Sequence, residues 1–233
     1  MCIRDRNDTC QTRRVIDVFA HRGLHTSERE NTVSAFRAAV ALKPDWAQAH
    51  ANLASALIEE NKAADAVNEA KAALALLPNL PEAHYDLGTA WLKIGETQKG
   101  LEEFREALRN RPDFADARLS LADGLKTSGQ AYEAIGDYRE YLRLRPQDID
   151  AHLTLGALLA NRKDNEGALH EYEEAVRLGP QNPLAHQGLA VVLESSGHSV
   201  RARQEYEIYL QLSPNAPDAE QIRSRLRRLR AAS

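Results

Sequence analysis

All nine prolines of this 233-residue chain fall at two points of one 34-residue cycle. Pro44, Pro78, Pro112, Pro146, Pro180 and Pro214 are successive multiples of that cycle, and Pro81, Pro183 and Pro217 each lie three places after one of them. Proline has no amide hydrogen and clashes with the preceding helical turn, so it marks where helices stop or start. In-register punctuation from 44 to 217 leaves room only for a repeat array without insertions.

The cycle is numbered here from the third residue after the junction proline, so that full units begin at Ala47, Pro81, Ala115, Ile149 and Pro183. Position 3 is alanine and position 7 leucine in all five units. Position 8 is Ala54, Gly88, Ala122, Gly156 or Ala190, and position 11 is Leu57, Trp91, Leu125, Leu159 or Leu193. These residues share one helical face, with the small one admitting a close neighbour. A second apolar row follows at positions 20, 24 and 28, with Ala70, Phe104, Tyr138, Tyr172 and Tyr206 at position 24, and the proline at position 32 closes that helix. Position 15 is glycine in three units (Gly95, Gly129, Gly197), which suits a helix C-terminus. Each unit therefore reads as two antiparallel helices joined by a tight turn.

This arrangement of small, large and proline residues resembles the tetratricopeptide repeat, over residues 47–216. The resemblance implies an all-α fold: a right-handed α-solenoid of stacked antiparallel helix pairs, with five full 34-residue repeats. It departs from the family at position 4, where the usual tryptophan is replaced by His50, His84, Arg118, His152 and His186. It departs again at position 27, where Tyr141 and Tyr209 stand for alanine, so packing there is expected to be looser or shifted.

Residues 15–46 read as a partial, degenerate unit, since Thr32, Phe36 and Ala39 fall at positions 20, 24 and 27 of the same frame. Residues 217–233 read as a C-terminal capping helix with Ala219, Ile222, Leu226 and Leu229 on one face and five arginines around it. Residues 1–14 resemble nothing that follows. Met1-Cys2-Ile3-Arg4-Asp5-Arg6 looks like translated adapter sequence, so this head is expected to be unstructured and foreign, and the natural N-terminus to be missing. Both cysteines lie in this head, leaving the repeat body without thiols.

Catalysis has little to run on. His21-Arg22-Gly23, Glu30-Asn31-Thr32 and Ala35-Phe36 resemble the opening of glycerophosphodiester phosphodiesterases, which implies a histidine–arginine pair working beside metal-binding carboxylates. Where those carboxylates belong, the chain has Trp46-Ala47-Gln48-Ala49-His50 and enters the repeats, so no enzyme is expected. The position-4 histidines recur too far apart to share a metal, and no phosphate loop or nucleophile motif is present, so no cofactor is expected. No apolar run approaches the ~20 residues a membrane-spanning helix needs. A net charge of −4 argues against nucleic acid as a partner. The chain is expected to be soluble, and cytoplasmic by default.

The family resemblance implies that the first helix of each pair lines a concave surface, through positions 2, 5, 6, 9, 12 and 13. Those thirty residues hold seven acids and two lysines. The residues expected to bind are Glu82, Tyr85, Asp86, Thr89, Lys93, Asp116, Leu119, Asp123, Lys126, Asp150 and Leu153. Tyr85, Leu119 and Leu153, all at position 5, would form an apolar track flanked by acids, suited to a protein or peptide segment with apolar anchors and basic neighbours. None of positions 2, 5 and 6 is basic, which excludes a clamp for a C-terminal carboxylate, and Asn52 alone at position 6 excludes an asparagine ladder. The expected function is a non-catalytic interaction scaffold or adaptor. The alternative is the C-terminal interaction arm of a larger multidomain enzyme, truncated here.

Overall fold

The computed structural model describes residues 29–231. Among them are twelve α-helices and no strand: α1 (Arg29–Leu42), α2 (Ala47–Glu59), α3 (Ala63–Leu76), α4 (Pro81–Lys93), α5 (Thr97–Asn110), α6 (Ala115–Thr127), α7 (Ala131–Leu144), α8 (Ile149–Asn161), α9 (Asn165–Leu178), α10 (Pro183–Ser195), α11 (Ser199–Leu212) and α12 (Ala219–Ala231). From α2 to α11 every helix begins and ends at the same two points of the 34-residue cycle, positions 1–13 and 17–30. The fold is all-α, with helices packed in sequential pairs. It divides into two compact units, one ending at Gly124 and the other beginning at Leu125, so the division falls within α6. Residues 1–28, and with them the head and the His21-Arg22-Gly23 triplet, lie outside the described residues.

The turn inside each pair is built identically. The backbone N–H at position 16 returns to the carbonyl of position 11 in every copy: Lys62 to Leu57, Glu96 to Trp91, Gln130 to Leu125, Asp164 to Leu159 and His198 to Leu193. That closure needs a left-handed residue at position 15. Gly95, Gly129 and Gly197 supply it at φ of 88°, 76° and 80°. Asn61 and Lys163 adopt the same backbone at 60° and 64° without glycine's freedom.

The two apolar rows meet between helices. Leu53, Leu57, Leu87, Leu121, Leu155, Leu159, Leu189 and Leu193 are buried, as are Phe104, Tyr138, Tyr172 and Tyr206. In the α4/α5 pair glycines face each other. A Cβ on Gly100 would lie 2.9 Å from the Gly88 carbonyl oxygen, and one on Gly88 would lie 2.7 Å from the Phe104 ring. Two bare backbones thus make room for the ring. On α1 the side chains of Val33, Phe36 and Ala39 are buried, and on α12 those of Ala219, Ile222, Leu226 and Leu229.

The histidines at position 4 bridge two elements. Nδ1 of His50, His84, His152 and His186 meets the carboxylate of Glu69, Glu103, Glu171 and Glu205 at 2.6–2.7 Å. Nε2 meets the carbonyl of the junction prolines Pro44, Pro78, Pro146 and Pro180 at 2.9–3.2 Å. Each ring thus ties the second helix of its own pair to the turn before the first. Tyr141 and Tyr209 at position 27 are buried. Their hydroxyls donate to Asp148, 2.6 Å away, and to Asp218, at the starts of the helices that follow.

Candidate functional site

On α4 the residues Glu82, Tyr85, Asp86, Thr89 and Lys93 follow one another at helical spacing and form one stripe. Tyr85 is half-buried, its ring centroid 5.8 Å from that of Phe104 and 5.1 Å from that of Phe114. The Arg111 guanidinium lies 3.8 Å above the Phe114 ring and donates to Glu82 at 2.8 Å. The Thr89 hydroxyl donates to the Tyr85 carbonyl at 2.9 Å, and Lys93 is exposed. Asp86 differs from all of these. It is 8% exposed and, among the described residues, neither accepts a hydrogen bond nor forms an ion pair. Burial, and then the like charges of Glu82 and of Glu59 from α2, push its carboxyl up to about 8.

Asp116, Leu119 and Asp123 lie along α6, the first exposed and the other two half-buried. Lys126, in the last turn, has its ammonium 5.7 Å from the Tyr138 ring centroid. The expected residues of the first unit are thus arrayed on α4 and α6, each stripe placed by its own helix.

In the second unit Asp150 is exposed in the first turn of α8 and Leu153 is half-buried one turn later. Leu153 lines an open furrow of about 360 Å³ between α8 and α10, with Ala157, Ala160, Leu184 and Val191 along its sides. Tyr172 of α9 reaches it from below, and burial pushes its phenol up. The ring fits only because position 188 is glycine, where a Cβ would stand 2.2 Å from it. Leu184 and Val191 are 58% and 40% exposed, and with Leu153, Ala157 and Ala160 they make one apolar patch rather than isolated exposed side chains. Neither was among the residues expected to bind, although both occupy inner positions of the cycle. Two aliphatic residues on the same helical face, two turns apart at positions 2 and 9, are the signal that marks them.

The remaining chemistry is structural. Among the described residues no group of three histidine, cysteine or acidic side chains is placed to hold a metal. No described helix is long and apolar enough to cross a membrane. Four of the five arginines of α12 are paired: Arg223 and Arg227 with Glu220, Arg225 with Glu194 and Arg230 with Glu207. The recurring glutamate at position 23 was not singled out from sequence. Its appearance wherever position 4 is histidine, with Asp137 in the one copy carrying Arg118, is a legible covariation.

Three family models, each described as tetratricopeptide repeat, match residues 18–147, 119–183 and 155–227. No curated protein matches by sequence. Among solved structures, YrrB, a TPR protein with an unusual peptide-binding site, is similar at 20% identity and a TM-score of 0.75, over 82% of this chain and 99% of that one. PilF of Pseudomonas aeruginosa is similar at 18% identity and a TM-score of 0.67, over 95% and 98%. A form of MamA from Desulfovibrio magneticus RS-1 is similar at 20% identity and a TM-score of 0.63, over 73% and 97%.

Proposed function

The chain belongs to the tetratricopeptide repeat family, and we propose that it is a non-catalytic scaffold that holds a partner's peptide segment or helix against the first helices of its repeats. The carrying observation is the furrow of the second unit, an open apolar surface whose aliphatic sides are left exposed to water. Exposed aliphatic surface is costly unless something covers it, and a concave strip of this size suits one or two apolar side chains of a peptide. In the first unit the stripe with Tyr85, Asp86, Asp116, Leu119 and Asp123 supports a segment that alternates apolar with basic residues. YrrB is one instance of the fold put to peptide binding. The paired arginines of α12 speak for a solvating cap and against a nucleic-acid surface.

Display of random 12-residue peptides on the full chain tests this. Enriched peptides are expected, and Leu153→Lys or Val191→Lys should weaken them at least tenfold. Tyr132→Ser, on the exposed side of α7, should leave them unchanged. No enrichment, or enrichment indifferent to the furrow variants, contradicts the reading.

A further inference from the structure

We propose that Asp86 is a dedicated receptor for one lysine or arginine side chain of the partner, with Glu59 and Glu82 as its acidic rim. The proposal rests on the scaffold reading and deepens it. A buried carboxyl normally has a cation or several N–H donors, because without them it gives up its hydration for nothing in return. Among the described residues Asp86 has neither. Position 6 of the other repeats carries Asn52, Ser120, Thr154 and Gly188, so the frame itself does not require an acid there.

The surroundings are arranged for an incoming cation. Glu59, exposed at the end of α2, and Glu82, one turn earlier on α4, are the charged groups that bear on Asp86. No other charged group from the helices packed against α4 does so. Arg111 is committed to Glu82 and the Phe114 ring, and Lys93 makes no ion pair with any of the three acids. Tyr85, the neighbouring residue on α4, is half-buried and offers apolar surface to the aliphatic stem of a long basic side chain.

Docking has a proton balance. Near neutral pH the free Asp86 carboxyl holds its proton, since its value lies at about 8. An arriving ammonium or guanidinium stays charged, the carboxyl ionises against it, and the displaced proton passes to the buffer. Affinity therefore rises about tenfold per pH unit below that value and levels off above it.

The probe is the tightest 12-residue peptide from the display experiment, resynthesised with an acetylated N-terminus and with each basic residue changed singly to norleucine. One replacement should weaken binding to the wild-type chain at least tenfold at pH 8.5 and much less at pH 6.0. Against Asp86→Asn the same replacement should have no effect. Asn keeps the shape of the side chain, and a circular-dichroism melt checks that the variant folds. Calorimetry at pH 7.0 in phosphate and in Tris should show release of about one proton per complex for wild type and none for Asp86→Asn. The receptor is overturned if the enriched peptides lack basic residues, if Asp86→Asn retains the preference, if acetylation rather than a side-chain replacement removes binding, or if no proton is released. In those outcomes peptides still bind and remain sensitive to Leu153→Lys, so the scaffold reading survives. A failure to enrich any peptide sinks both.

Discussion

Position 15 shows how one residue carries a local cost through an otherwise uniform array. Every copy needs a left-handed backbone there, and Lys163 adopts it with a Cβ that crowds the following carbonyl. Asn61 is better suited, since asparagine tolerates that region. Lys163→Gly should therefore stabilise the chain by about 0.5–1 kcal/mol, and Asn61→Gly by little, in urea melts. A loss on Lys163→Gly would mean that the turn is closed differently.

The titrating residues give a signed pH dependence. The ring nitrogens of His84 and His152 both face acceptors, a carboxylate and a carbonyl, which only the imidazolium satisfies. At His84 burial works against the charge, but the Glu103 hydrogen bond, the Pro78 carbonyl and the charges of Glu103 and Glu106 outweigh it. At His152 the Glu171 hydrogen bond leads, against burial and with the Pro146 carbonyl. Both rings are raised, so their stabilisation is complete below about 6.5 and is lost as pH climbs through the raised values. Asp86 acts in the same direction: its neutral form favours the fold, and that contribution is lost between 3.8 and about 8. The urea midpoint should fall from pH 6 to pH 9, and Asp86→Asn should raise it at pH 9 while flattening the fall. A midpoint that is constant or rises with pH would contradict these assignments.

At the scale of the element, the α4/α5 pair is the tightest test of packing. A methyl on Gly100 meets the Gly88 carbonyl oxygen, a backbone atom that cannot swing aside, and the Leu92 side chain, each at 2.9 Å. Gly100→Ala should cost about 1–3 kcal/mol by overpacking, although alanine occupies position 20 in the other four repeats. Leu121→Ala, at a buried position of α6, should cost about 2–5 kcal/mol by leaving a cavity. Both are read from denaturant midpoints. A change under half a kcal/mol at Leu121 would mean that the helical register is wrong.

For the whole molecule, what was legible in sequence was the part written repeatedly. Proline spacing, the small residues at positions 8 and 20 and the large ones at 7, 11 and 24 placed the helix pairs, because each copy is an independent vote on the same geometry. What escaped was written once or in two distant places. Asp86 looks like any polar residue on a helix face, and its burial and the like charge of Glu59 from the preceding pair emerge only in three dimensions. The furrow depends on Gly188 yielding space to Tyr172 of another helix, a pairing that no single window contains. Position 23 was readable and overlooked, since a glutamate is unremarkable on a helix until it is matched to the histidine of its own repeat.

If the first helices of the repeats form the working face, a bound peptide perturbs them and spares the second helices. Amide NMR of the deuterated full chain, titrated with a display-selected peptide, tests it directly. Shifts are expected at inner positions of the first helices, whether in the first unit (Asp86, Leu119) or in the second (Leu153, Val191), with Tyr132 on α7 unmoved. Shifts gathered instead around Tyr132 and the exposed sides of the second helices would contradict it.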